Sequence, residues 1–328
     1  MAPKRILSIV LVGLFIAGPA YNAVKTVVDG RRYPAPGTLV NVGDHRLHLF
    51  CEGSGSPTVI LEAGAGGWSI HMRRLQESLR DSVRACAYDR AGLGWSDPSG
   101  GPYDAGASVE DLRRLVDSAR IPKPFVLVGH SLGANIAQIY ASKHPEDLRA
   151  AILLDPGTPD DLLEDFHKPD SLAEKIHSCG WKCDAIAGAA HLGLMRLAAQ
   201  AAGSKYMTAG EKAEYRAGLA RAEVARTSLG SLVFVPKTAV QTKAAARFGD
   251  LNVTVLFSAN TRRPEGKETV ADVARWHALK LDQMRTLLQG TTHPRGPIEV
   301  PGATHISMIL EDSARALVVR EVLRAAIR

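Results

Sequence analysis

Short continuous apolar runs recur along the chain: PTVILE (Pro57–Glu62), VRACAY (Val83–Tyr88), FVLVG (Phe125–Gly129), AAILL (Ala150–Leu154), VTVLF (Val253–Phe257) and IEV (Ile298–Val300). Such runs suit strands buried on both faces. Before them, Val40 to Cys51 alternates, with Leu47 and Leu49 set against polar neighbours, and predicts two short strands around a Gly43-Asp44 turn. Between the runs, helical spacing predicts Ser69–Arg80, Val109–Ala119 opened by Ser108, Leu132–Lys143, Val270–Leu288 and Ala314–Ile327. Strands alternating with helices imply an α/β protein with a mainly parallel sheet covered on both sides. The rhythm breaks from Gly157 to Gly249, which is alanine-rich and helical without alternation. The expected organisation is a core of residues 38–156 and 250–328, with residues 157–249 as a helical insertion.

The amino end differs. Lys4 and Arg5 precede an apolar run from Ile6 that persists to Val24. Residues 1–30 therefore read as a signal peptide or a membrane anchor. Cleavage would follow Ala20 or Ala23. Uncut, residues 6–24 would just cross a bilayer core of about 30 Å, with the basic end inside and the body outside. The expected location is exported, on the periplasmic or extracellular face, anchored or secreted. The competing reading is a helix buried against the fold, which the lack of a polar face argues against. Gly30 to Gly37, with Pro34 and Pro36, reads as a linker.

Composition narrows the partners. The chain has 328 residues, 45% hydrophobic and 23% charged, with net charge +6, as expected of a globular chain with a sizeable core. Its basic residues fall in scattered pairs such as Arg31–Arg32 and Arg113–Arg114, which excludes a nucleic-acid stripe. Four cysteines fit export and allow three pairings; Cys51–Cys86 with Cys179–Cys183 is favoured. A zinc site lacks paired Cys-x-x-Cys or His-x-x-x-His spacing, so no metal is expected.

The sharpest chemical signal is Gly129-His130-Ser131-Leu132-Gly133, between a strand and a helix. A strand turning at once into a helix strains the serine backbone and crowds its neighbours, which glycine relieves on either side. Ser131 would then stand at the carboxyl edge of the sheet, where open α/β sheets bind ligands. A serine needs a base. His305 follows the last strand at the same edge, whereas His293 precedes that strand at the wrong one; His130 reads as a packing or hydrogen-bonding residue. For the acid, Asp155 directly follows Ala150–Leu154 and ranks first, ahead of Glu265, with Asp272 more distant. The backbone N–H groups of Leu132 and Ala65, the latter in the loop Ala63–Trp68, are the candidate oxyanion donors.

These residues resemble the α/β-hydrolase superfamily, as does Tyr88-Asp89-Arg90-Ala91-Gly92-Leu93-Gly94-Trp95-Ser96-Asp97, similar to the Asp-Arg-x-Gly-x-Gly-x-Ser stretch after the fourth strand. The resemblance implies an eight-stranded, mostly parallel sheet flanked by helices, with a helical cap between strands six and seven. It also makes strands two and four neighbours, so a Cys51–Cys86 bridge is plausible. The chain departs from the pattern at Ala63, where a histidine is usual, and in lacking an obvious acid after the seventh strand. The implied activity is a serine hydrolase cleaving carboxylic esters of apolar small molecules through Ser131, His305 and an acid, with no cofactor. Leu192, Leu194, Met195, Leu197, Leu229, Leu232 and Phe234 would contribute an apolar roof. Amidase or aminopeptidase, serine peroxidase and carbon–carbon hydrolase chemistries stay open, as does a ligand-binding protein on the same scaffold. An aspartate at the corner would suggest an epoxide hydrolase or dehalogenase; Ser131 argues against both.

Overall fold

In the computed structural model, which describes residues 3–159, 188–190, 192–258 and 269–327, the apolar runs are strands. They are β1 (Thr38–Asn41), β2 (Arg46–Glu52), β3 (Val59–Glu62), β4 (Ala85–Tyr88), β5 (Phe125–His130), β6 (Leu148–Leu154), β7 (Gly249–Ser258) and β8 (Thr291–Val300). They form one sheet in the order β1-β2-β4-β3-β5-β6-β7-β8. β2 runs antiparallel to β1 and β4, and the other neighbours are parallel. This is the expected eight-stranded, mostly parallel sheet.

Alternation inside the buried strands feeds two cores. In β5, Phe125 and Leu127 face one cluster and Val126 and Val128 the other. The first cluster takes in Leu112 and Leu115 of α3 (Ala105–Ser118), Ala137 and Tyr140 of α4 (Leu132–Lys143), and Met284 of a long helix after β7. The second takes in Met72, Leu75 and Leu79 of α2 (Ser69–Leu79), with Met308 and Val318 near the carboxyl end. Each fully buried leucine or valine contributes about 1.5–3 kcal/mol, so the strand faces hold both helix layers in place.

Between β6 and β7 lie α5 (Leu194–Ala198), α6 (Ala209–Leu219), α7 (Ala222–Val233) and α8 (Val235–Ala244). After β7 comes α9 (Val270–Leu288), and after β8 come α10 (Ser307–Leu310) and α11 (Asp312–Ile327). The expected roof is partly redirected. Leu194 and Leu197 are 49% and 73% exposed and point to solvent.

Several expectations change. α3 begins at Ala105 because Asp104, rather than Ser108, caps it by accepting from Ala107 N. β8 begins at Thr291, so His293 lies within it, opposite Asn252, instead of before it. The amino-terminal helix α1 (Pro3–Arg32) runs through Gly30 and Arg31 into the expected linker. It docks on the insertion: Arg196 donates to Asn22 Oδ1, Asp29 Oδ2 and Thr26 Oγ1, and Asn22 donates to Ala190 O. Among the described residues no helix is long and apolar enough to cross a membrane. Cys51 and Cys86 are opposite one another on β2 and β4 and are disulfide-bonded. Cys179 and Cys183 lie outside the described residues.

Candidate active site

Sheet register decides where the candidate side chains meet. His130 of β5 pairs with Leu154 of β6, and Leu154 with Leu256 of β7. The residues that leave these strands, Ser131 and Asp155, therefore emerge side by side at the carboxyl edge. Both have positive φ, 57° at Ser131 and 47° at Asp155. That region is costly for a side chain other than glycine, and surrounding bonds hold it: Ser131 N donates to Leu154 O (2.9 Å) and Asp155 N to Leu256 O (2.7 Å).

The flanking glycines follow from contact distances. A Cβ on Gly129 would lie 2.1 Å from Gly133 O, and one on Gly133 would lie 2.5 Å from Glu62 O. Strand β3 is thus pressed against the start of α4, which brings the loop after it to the serine. A Cβ on Gly64 would stand 3.1 Å from Ser131 Cβ.

His305 lies in the loop between β8 and α10 and is partly exposed, at 32% of its side chain. Its Nδ1 donates to Asp155 Oδ2 at 2.6 Å. Asp155, 1% exposed, also accepts from Ser258 Oγ on Oδ2 (2.9 Å) and from Lys280 Nζ on Oδ1 (2.9 Å). Burial alone would raise this carboxyl. The His305 hydrogen bond and the Lys280 charge outweigh burial and hold it well below the usual carboxylate range. Glu265 lies outside the described residues. Asp272 is taken up by Thr269 at the start of α9.

His130 is buried and packs its ring on that of His305, with centroids 4.6 Å apart. Its Nε2 donates to His305 O (2.8 Å), so it is a hydrogen-bonding residue that grips the His305 loop. Burial, then the charge of His305, pulls its ring down to about 3.

Sequence reasoning missed what holds the loop bearing Ala65. Arg90 donates to Ala63 O (2.6 Å) and Gly64 O (2.6 Å) and forms a buried ion pair with Glu62. Tyr88 donates to the other Glu62 oxygen. Burial raises the Glu62 carboxyl, against the pull of Arg90. Asp89, fully buried, accepts from Ser69 N, Trp95 N and His48 Nδ1 and so ties α2 to the turn after β4. Ala65 is exposed at the tip of its loop. Leu132 opens α4, where backbone N–H groups point outward from the helix start.

Helix α7 covers this edge. Thr227 Oγ1 abuts Gly92, and Ser228 Oγ comes near Gly66. Both hydroxyls are buried without a hydrogen-bond partner among the described residues. A cavity of about 30 Å³ beside Leu132 is bordered by Arg90, Tyr103 and Thr227. A larger one, about 670 Å³, opens at the opposite edge between Arg149, His293 and Arg324, remote from Ser131. Among the described residues no cluster of His, Cys, Asp and Glu could hold a metal.

A model described as the alpha/beta hydrolase family matches residues 53–321. The cis-3-alkyl-4-alkyloxetan-2-one decarboxylase of Shewanella oneidensis is 32% identical over 130 residues, 39% of this chain and 38% of its own. The chain spans less than two thirds of the length of the curated relatives it matches. Among solved structures, epoxide hydrolase VrEH1 from Vigna radiata is similar at TM-score 0.65 and 15% identity, over 88% of this chain and 96% of that one. A thermophilic esterase from Thermogutta terrifontis is similar at TM-score 0.56 and 17% identity, over 87% and 97%. At these identities the likeness shows the fold alone.

Proposed function

The chain belongs to the alpha/beta hydrolase family, and from that premise we propose that it is a serine hydrolase that cleaves carboxylic esters of small molecules. The observation that carries the reading is the 2.6 Å bond from His305 to Asp155, on the edge where Ser131 sits at its strained corner. Ser131 replaces the aspartate that epoxide or carbon–halogen chemistry would use at this corner, so the likeness to an epoxide hydrolase is taken as one of fold.

His305 takes the Ser131 proton as Oγ attacks the acyl carbon. Asp155 fixes the imidazole with Nε2 toward the serine and offsets the charge it gains. The N–H groups of Leu132 and Ala65 receive the oxyanion. His305 then protonates the leaving alcohol, and water repeats the sequence on the acyl-enzyme to release the acid. The helices between β6 and β7 act as the lid. Ser228 sets a hydroxyl near the oxyanion loop and Thr227 sets one against the turn after β4, so apolar groups of the substrate lie elsewhere under the lid.

Export is part of the proposal. The charged and then apolar start supports it, as does the Cys51–Cys86 disulfide, a bond that persists in oxidising compartments. The test of function is turnover of ester, amide and epoxide substrates by the full chain and by Ser131→Ala, with fluorophosphonate labelling. Ester turnover and label that both vanish in Ser131→Ala support the reading. Label-free protein, or turnover that survives the substitution, refutes it.

A further inference from the structure

Lys280 is 6% exposed, yet none of the steps above uses it. It projects from α9, and its ammonium lies 2.9 Å from Asp155 Oδ1 and 5.1 Å from the centre of the Trp276 ring. Asp155 thus divides its two oxygens. Oδ2 takes His305 and the Ser258 hydroxyl, and Oδ1 takes Lys280 with a longer bond from Ser258 N. We propose that Lys280 is a positioning residue that shares the Asp155 carboxylate with His305, so that removing its charge tightens the hold of that carboxylate on a protonated His305 ring. This rests on the reading of Ser131, Asp155 and His305 as a catalytic triad.

The reasoning is electrostatic. A lone buried carboxylate beside an imidazole favours its protonated form. Here the carboxylate is already neutralised by a permanent cation, so an imidazolium on Oδ2 gains less and is repelled by the ammonium across the same group. The other charged or titratable groups facing the ring are few. His130 packs on it from the β5–α4 corner and stays neutral at ordinary pH, and Asp155 comes from the end of β6. His71 of α2 bears on His130.

The test is an NMR titration of the His305 ring in the full chain, assigned by its loss in His305→Gln. The parent is compared with Lys280→Gln, Lys280→Met and Lys280→Arg, each checked for folding by circular dichroism. Lys280→Gln keeps a donor without the charge, and Lys280→Met removes both while filling the space. The expected result is a midpoint about half a pH unit higher or more in both, roughly a threefold gain in proton affinity, with Lys280→Arg near the parent. The acid limb of kcat/KM for ester turnover should move by the same amount. An unmoved midpoint in the folded Gln or Met variant overturns the proposal, as does an Arg variant displaced as far as the Gln variant. If the parent shows no Ser131-dependent turnover, the hydrolase reading fails, while the ring titration still decides the role of Lys280.

Discussion

Acid should destabilise this protein through two buried histidines, His71 and His130. Burial pulls the His71 ring down to about 4 and the His130 ring to about 3. Both are therefore neutral in the folded chain at mildly acid pH. Released by unfolding, each takes up a proton near the ordinary value of about 6.5. Stability is then complete above that value and is lost as pH falls below it, levelling off only near the folded values. At pH 5 each residue costs about 2 kcal/mol relative to pH 7.5. Together they cost about 4 kcal/mol, a large share of the 5–15 kcal/mol typical of a domain. Burial raises Glu62 and Asp111, and such groups act in the opposite direction over part of this window. A comparison of variants removes their contribution. His71→Asn keeps an acceptor for Trp68 N, the partner of His71 Nδ1, and His130→Gln keeps a donor for His305 O. Urea unfolding at pH 7.5 and 5.0 should show the parent losing about 4 kcal/mol more than the double variant. Equal losses would mean that these rings are protonated in the folded state, and the reasoning would fail.

Asp155→Asn should lower kcat for the best ester roughly 10³–10⁴-fold while the chain stays folded; a fall below tenfold would move the acid elsewhere, with Glu265 next. Arg90→Met leaves Glu62 buried without its cation and frees the Ala63 and Gly64 carbonyls. It should cost about 3–5 kcal/mol by denaturant titration, and a loss under about 1 kcal/mol would show that the pair does not hold the loop.

The parts legible in the sequence were those set by neighbours along the chain. Leu132–Lys143 and Val270–Leu288 keep their expected bounds because apolar spacing, with a glycine corner before one and Thr269 capping the other, states both ends locally. Asp155 and His305 were legible because each leaves a strand at the same edge. The Arg90–Glu62–Tyr88 group was not, since only the pairing of β3 with β4 brings those residues together. Its one local sign was a glutamate closing an apolar strand. Lys280 was half-legible, standing four and eight residues before Met284 and Leu288 on the buried face of α9. The start of β8 hid in TTHPRGP, whose prolines and glycine read as a loop but are tolerated on an edge strand.

The grip of Arg196 on the amino-terminal helix bears on how the chain would be processed. Its three partners there, Asn22, Thr26 and Asp29, all lie downstream of Ala20. A signal peptidase cutting after Ala20 would leave the clasp whole, whereas a cut after Ala23 would strip Asn22 from it. Under the export proposal, a difference of three residues in the mature start would set how firmly the first helical turns stay fastened to the segment between β6 and β7.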